Sequence, residues 1–208
     1  MLTNQKQPYR RSVRLQSYDY SQSGFYFVTI CTQDQICMFG EIVNGEMYLN
    51  GAGSIAQSTW NTLPERFPHV ELDQYVVMPN HIHGIVVLAG STSMPRGDIY
   101  TAKVPERFMH AKGKVYQDHT TNMALQHSRI NQVHTADAVN RVPTLGEIIR
   151  TFKGAATYCI RSEGKRDFAW LGRYYEHIIR NDDDLDRIRQ YIVNNPARWT
   201  EDHLYMGA

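Results

Sequence analysis

Residues 70–88 read VELDQYVVMPNHIHGIVVL, two apolar, β-branched runs separated by Pro79-Asn80. Runs of this length, broken by a turn dipeptide, read as two β-strands joined by a tight turn, so the chain must build on a sheet that contains them. Neighbouring segments extend that sheet. GFYFVTICT, from Gly24 to Thr32, is rich in aromatic and β-branched residues and reads as a core strand. MFGEIVNGEMYLN carries Asn44-Gly45, the dipeptide that a type I′ hairpin turn favours.

Helical spacing alternates with these strands. Ile55, Thr59 or Trp60, and Leu63 place a helix over 54–67, with Pro64 and Pro68 closing it. In PTLGEIIRTFKGAATYCIR, Thr144 and Glu147 form a capping-box pair ahead of an apolar stripe of Leu145, Ile148, Ile149, Phe152, Ala156 and Cys159. Arg150, Lys153 and Arg161 lie off that stripe and give the helix a basic face. A last helix begins at NDDDLDRIRQYIVNN, acidic in its first turn as the helix dipole prefers, and stops at Pro196. The order is strand, hairpin, helix, two strands, helix, helix. Long helices do not alternate regularly with strands, so a doubly wound sheet is excluded. An α+β sandwich is expected, with helices on one face of a mostly antiparallel sheet.

Residues 90–142 interrupt this pattern. They are polar, lack sustained periodicity and hold His110, His119, His127 and His134 at spacings that fit no metal motif. The stretch reads as a long insertion within a single domain covering 1–208. A chain with 42% hydrophobic and 21% charged residues has ordinary globular composition. Its apolar runs are too short to cross a bilayer and its opening lacks the apolar core of a secretory signal, so a cytoplasmic protein is expected. Cys31, Cys37 and Cys159 form no CxxC pair, which argues against a disulfide framework or a zinc ribbon. A net charge of +1 confines any polyanion site to local clusters. Arg10, Arg11 and Arg14 form one such cluster, and Arg150, Lys153 and Arg161 another.

The chemistry-bearing residues begin with His81 and His83. On a strand they share one face, with side chains starting about 7 Å apart, a span that two imidazoles can close onto one ion. Two histidines at a strand mouth can equally be hydrogen-bonded and inert. Tyr191 and Asn195 are four apart on the last helix and share a helical face. A tyrosine can serve as a covalent nucleophile and an asparagine carbonyl as a hard, neutral ligand. Packing for Tyr191 and a turn cap for Asn195 account for the same residues, and Pro196 disfavours a helical conformation at Asn195.

Taken together, YVVMPNHIHGIVVL, GRYYEHIIRNDDDLDRIRQYIVNNP and the opening RRSVRLQSYDYSQSGFYFVTICT resemble the single-tyrosine HUH transposases, in particular the REP-associated tyrosine transposases. The resemblance spans most of the chain outside 90–142. It implies a ferredoxin-like α+β core, a divalent metal on His81, His83 and Asn195, and Tyr191 as nucleophile. It further implies a single-stranded DNA partner bearing a hairpin, and leaves open a homodimer, since some relatives share active sites between subunits and others work as monomers. The neutral ligand set would leave the whole charge of Mg²⁺ or Mn²⁺ to polarise a phosphate, with imidazole leaning toward Mn²⁺. Tyr174 and Tyr175 are the alternative tyrosines, but neither has a liganding residue four positions later. His177 and Arg180 read as packing or phosphate contacts. Arg10, Arg11 and Arg14 are candidates for hairpin contact, and Arg150, Lys153 and Arg161 for the DNA backbone. Rival expectations are a hairpin-binding protein that does not cut, and a metal hydrolase with a water nucleophile whose activity survives loss of Tyr191.

Overall fold

A computed structural model describes residues 18–89 and 142–205. Arg10, Arg11, Arg14 and nearly all of the polar insertion lie outside the described residues. Strand β1 (Gly24–Cys31) leads to a hairpin of β2 (Gly40–Val43) and β3 (Glu46–Leu49), then helix α1 (Gly51–Asn61) and the one-turn α2 (Leu63–Arg66). Strands β4 (Val70–Val77) and β5 (His81–Leu88) follow, and beyond the insertion come helix α3 (Leu145–Ser162), strand β6 (Tyr175–Ile179) and helix α4 (Asp182–Asn194). The four long-range strands form one sheet in the order β4-β5-β1-β6, with every neighbouring pair antiparallel. That order is the ferredoxin-like arrangement. The expected hairpin is present, with Asn44 and Gly45 at φ 52° and 79°, as a type I′ turn requires.

Both sheet faces are covered, and β5 shows it most plainly, because all eight of its residues are buried. On one face Tyr26, Val28, Ile30, Ile82 and Val86 pack with Ala56 and Trp60 of α1 and with Ile148 and Phe152 of α3. A Cβ on Gly84 would lie 2.6 Å from the Trp60 ring, so only glycine lets that indole rest on the strand. The opposite face carries Phe27, Ile85 and Val87, covered by Leu185, Ile188 and Ile192 of α4. Burying each of those three aliphatic side chains contributes about 1.5–3 kcal/mol, enough to hold the helix down.

The structure departs from the sequence expectation at four places. The helices are not confined to one face: α1 and α3 share one, and α4 takes the other because β5 and β1 present apolar side chains on both. Strand β6 was not expected; it is a short edge strand whose polar Glu176 and His177 hide the alternation. Helix α1 starts earlier, because Asn50 caps it by accepting from the Gly53 N–H, and it breaks at Thr62 before Pro64. Asn195 is helical (φ −58°, ψ −43°) despite Pro196, which instead opens the 3-10 turn Pro196–Glu201. Among the described residues no helix is long and apolar enough to cross a membrane.

Candidate active site

The two histidines stand on the α4 side of the sheet, at the end where β5 begins. His81 is opposite Cys31 and His83 opposite Thr29 on β1. Both are buried, and their ring centroids are 4.3 Å apart. Each has its Nδ1 held by a neighbour. The His83 Nδ1 is 2.8 Å from the Thr29 Oγ1. The His81 Nδ1 is 2.8 Å from the Asn80 Oδ1. The second contact fixes a tautomer. Asn80 Nδ2 donates to the carbonyls of Gln35 (2.9 Å) and Leu204 (2.8 Å), so its Oδ1 must face His81 and can only accept. His81 therefore carries its proton on Nδ1, and its Nε2 lone pair faces the site. Metal-binding histidines are oriented in this way by a partner on the other nitrogen.

Helix α4 delivers Tyr191. It lies across the sheet with Leu185, Ile188 and Ile192 buried, and side-chain hydrogen bonds tie it to both edge strands. Asp184 meets His177 of β6 at 2.7 Å and also pairs with Arg187. Arg189 binds Asp73 through two hydrogen bonds of 3.0 and 2.5 Å. Asp73 sits where β4 shifts register between Leu72 and Tyr75, and the bulge turns its carboxylate toward the helix. Two residues beyond Arg189, the Tyr191 hydroxyl comes within 3.1 Å of the His83 Nε2, with Phe27 stacked on the His83 ring. Tyr191 as a whole residue is 40% exposed.

Asn195, one turn after Tyr191, is buried against the same cluster. Its Nδ2 donates to the Asp202 Oδ2 at 3.0 Å, and its Oδ1 is buried without a hydrogen-bond partner among the described residues. The His81 Nε2 is likewise buried and unpartnered. Asp202 is the member that sequence reasoning missed. It lies seven residues past Asn195, outside helical spacing, and is brought in by the 3-10 turn after Pro196. Its Oδ2 is 3.9 Å from both the His81 and the His83 Nε2, beyond hydrogen-bond reach of either. Its Oδ1 accepts the Leu204 N–H at 2.7 Å. Ligand atoms of His81, His83 and Asp202 all lie within 4.8 Å of one another and could hold a metal ion.

The electrostatics agree with that arrangement. Burial holds both imidazoles below their ordinary range, well below for His81, whose neighbour His83 adds to the effect. They are therefore neutral, with lone pairs to give. Burial pushes the Asp202 carboxyl up, but contacts from His83, the Leu204 N–H and Asn195 outweigh it and keep the group ionised. Burial and the Asp202 charge push Tyr191 up to about 12. Two unpartnered buried acceptors, a neutral histidine pair and one carboxylate suit a small divalent cation with mixed nitrogen and oxygen ligands. Asp202 thus adds one negative charge beside the neutral His81, His83 and Asn195 set that the resemblance implies.

The other candidates lie elsewhere. Arg150, Lys153 and Arg161 are on α3, on the far side of the sheet from Tyr191. His177 is committed to Asp184. Tyr175 lies on the edge strand opposite Thr29, two strands from His83.

No family model matches the chain. An uncharacterised protein of Haemophilus influenzae is 35% identical over 198 residues, covering 95% of this chain and 94% of its own length. Among solved structures, a REP-associated tyrosine transposase bound to a REP hairpin superposes with a TM-score of 0.47 at 18% identity, covering 88% of this chain and 72% of its own.

Proposed function

The chain belongs to one family with the Haemophilus influenzae protein, a kinship that names no activity, and we propose from the site itself that it nicks and rejoins single-stranded DNA through Tyr191. In this reading the chain is a DNA transposase of the single-tyrosine HUH type, REP-associated in its motifs, acting beside hairpins. The observation that carries it is the convergence of Tyr191 Oη with the unpartnered His81 Nε2 and Asn195 Oδ1 and the Asp202 carboxylate. A packing tyrosine has no need of that company.

His81, His83 and Asp202 would hold Mg²⁺ or Mn²⁺, with Asn195 Oδ1 free to join them. When bound, the ion supplies positive charge for a non-bridging oxygen of the scissile phosphate. The chain's residues do the rest. Thr29 and Asn80 orient the imidazoles, α4 holds the Tyr191 ring against Phe27, and the hydroxyl of the partly exposed Tyr191 meets the phosphate. Attack forms a Tyr191 Oη–phosphorus bond and breaks the bond from phosphorus to the 3′ oxygen. The hydroxyl proton passes to solvent and the released 3′ oxygen takes one up, leaving a 5′-phosphotyrosine. A second 3′ hydroxyl can reverse the exchange, so strands are transferred without a nucleotide cofactor.

The test is a denaturing gel of protein incubated with Mn²⁺ and a labelled, hairpin-bearing single strand. The expected result is a slow-migrating protein–DNA adduct that Tyr191→Phe abolishes. Cleavage without an adduct would replace this reading by a metal hydrolase. Binding without cleavage would replace it by a hairpin-binding protein.

A further inference from the structure

A groove of about 720 Å³ runs along the outer face of α3, between the helix and the strap 169–172 that leads into β6. Arg150, Lys153 and Arg161 line it, and no carboxylate does among the described residues. In a chain of net charge +1 that is a marked local excess. Arg150, Gly154, Tyr158 and Arg161 fall three and four apart on one helical face, a stripe spanning about 16 Å.

The groove is pre-shaped by α3 itself. Lys153 Nζ donates to the carbonyls of Leu171 (2.8 Å) and Arg173 (3.1 Å), and Arg161 Nε donates to that of Phe168 (3.0 Å). The Trp170 indole N–H donates to the Lys153 carbonyl at 3.2 Å. Burial pushes the Lys153 ammonium down to about 8, and two of its three protons are committed to the carbonyls of Leu171 and Arg173. It therefore fixes the shape, while the exposed Arg150 and Arg161 present the charge.

A second observation is independent of charge. Gly154 sits in the interior of α3, where glycine costs about 1 kcal/mol relative to alanine. Helix glycines are usually explained by a close neighbour, yet a Cβ at Gly154 would meet nothing within 4 Å, and the same holds for Gly172 across the groove. Packing within the chain explains neither. Open space above two facing glycines lets an external chain approach the backbone closely, and Tyr158, 55% exposed, offers a ring beside it.

We propose that this groove is a track for the sugar-phosphate backbone of single-stranded DNA, with phosphates on Arg150 and Arg161 over Gly154 and a base on Tyr158. The proposal rests on the DNA-processing reading above. The geometry connects the two sites. The strap's Leu171 N–H donates to the Cys31 carbonyl at 2.9 Å, and Cys31 is the strand partner of His81. A strand leaving Tyr191 would pass round the end of the sheet to reach the groove.

The test uses the full chain carrying Tyr191→Phe and fluorescein-labelled oligothymidylate, which forms no hairpin. Anisotropy is followed across a salt series. Each phosphate contact on a single strand contributes about 0.7 to the slope of log K against log salt, or roughly fivefold at about 0.1 M. The Arg150→Ala/Arg161→Ala variant should lower the slope by about 1.4 and weaken binding roughly 25-fold. Gly154→Glu favours the helix and should not lower the melting temperature, yet should weaken binding at least about fivefold by filling the track with a like charge. Unchanged affinity and slope in folded protein carrying either set would overturn the track. Adduct formation by protein with native Tyr191 is scored separately, so an inactive Tyr191 with an intact track, or the reverse, is distinguishable.

Discussion

Asn80 is completely buried and makes three side-chain hydrogen bonds of 2.8–2.9 Å, to Gln35, Leu204 and His81. Replacing it with alanine removes all three. The Leu204 carbonyl is left buried without its donor, while that of Gln35, nearer the surface, regains water. The fully buried His81 Nδ1 loses its partner too, so two stranded buried groups at about 1–3 kcal/mol each and a solvated lost bond at about 0.5–1.5 should make Asn80→Ala destabilise the fold by roughly 3–7 kcal/mol. The effect on metal is separate. Without Oδ1, nothing keeps the His81 proton on Nδ1, and the Leu204 anchor that holds the Asp202 segment is gone. Loss of such orienting partners typically costs 10–100-fold in metal affinity. Urea unfolding gives the first quantity, and Mn²⁺ titration calorimetry under conditions where the variant is folded gives the second. If stability falls as expected but Mn²⁺ affinity is unchanged, Asn80 is only a structural peg and the tautomer reasoning is wrong.

Three further outcomes are expected. Asp202→Asn should weaken Mn²⁺ binding at least about tenfold and, with metal chelated, move Tyr191 down from about 12, because the carboxylate is one cause of its elevation; an unmoved Tyr191 in tyrosine-labelled NMR titration would contradict this. Arg189→Ala frees α4 from the β4 bulge and should slow adduct formation by about 10–100-fold with Mn²⁺ affinity unchanged, since displacement of the nucleophile by about 1 Å is enough; equal losses in both would point to general unfolding instead. Burial holds the folded His81 and His83 below the unfolded value of 6.5, so the unfolded chain binds protons that the folded one refuses. Stability with metal chelated should be full above pH 6.5 and decline as pH falls below it, and a His81→Gln/His83→Gln variant should lose most of that slope in urea melts.

What the sequence made legible follows periodicity. β1, β4 and β5 are dense in β-branched and aromatic residues, the Asn44-Gly45 turn has its own chemistry, and Thr144 with Glu147 marks where α3 starts. The placement of His81 and His83 on one face needs only the two-residue repeat of a strand. Periodicity fails where a contact is made by topology. β6 is short and polar because it is an edge strand, and it takes its place only by pairing with β1. The position of α4 on the second face could be inferred from HIHGIVVL, whose apolar residues fall on both sides of the strand, but an amphipathic helix alone does not say which face it covers.

Asp202 shows the same limit at the scale of one side chain. Nothing in TEDHL distinguishes it from surface acid. It enters the site because Pro196 converts the end of α4 into a 3-10 turn, Trp199 packs 5.9 Å from the His81 ring, and Asn80 takes the Leu204 carbonyl two residues further on. The Pro79-Asn80 turn and the chain after Pro196 are therefore one unit, although 124 residues separate Asn80 from Leu204. The asparagine that precedes the histidine pair does two things at once: it sets the proton on His81 and pins the segment that carries the carboxylate. A substitution there should lower metal affinity through both routes, whereas Asp202→Asn acts through one. Affinity loss in Asn80→Ala that exceeds the loss in Asp202→Asn would separate the two routes, and equal losses would mean that Asn80 acts through Asp202 alone.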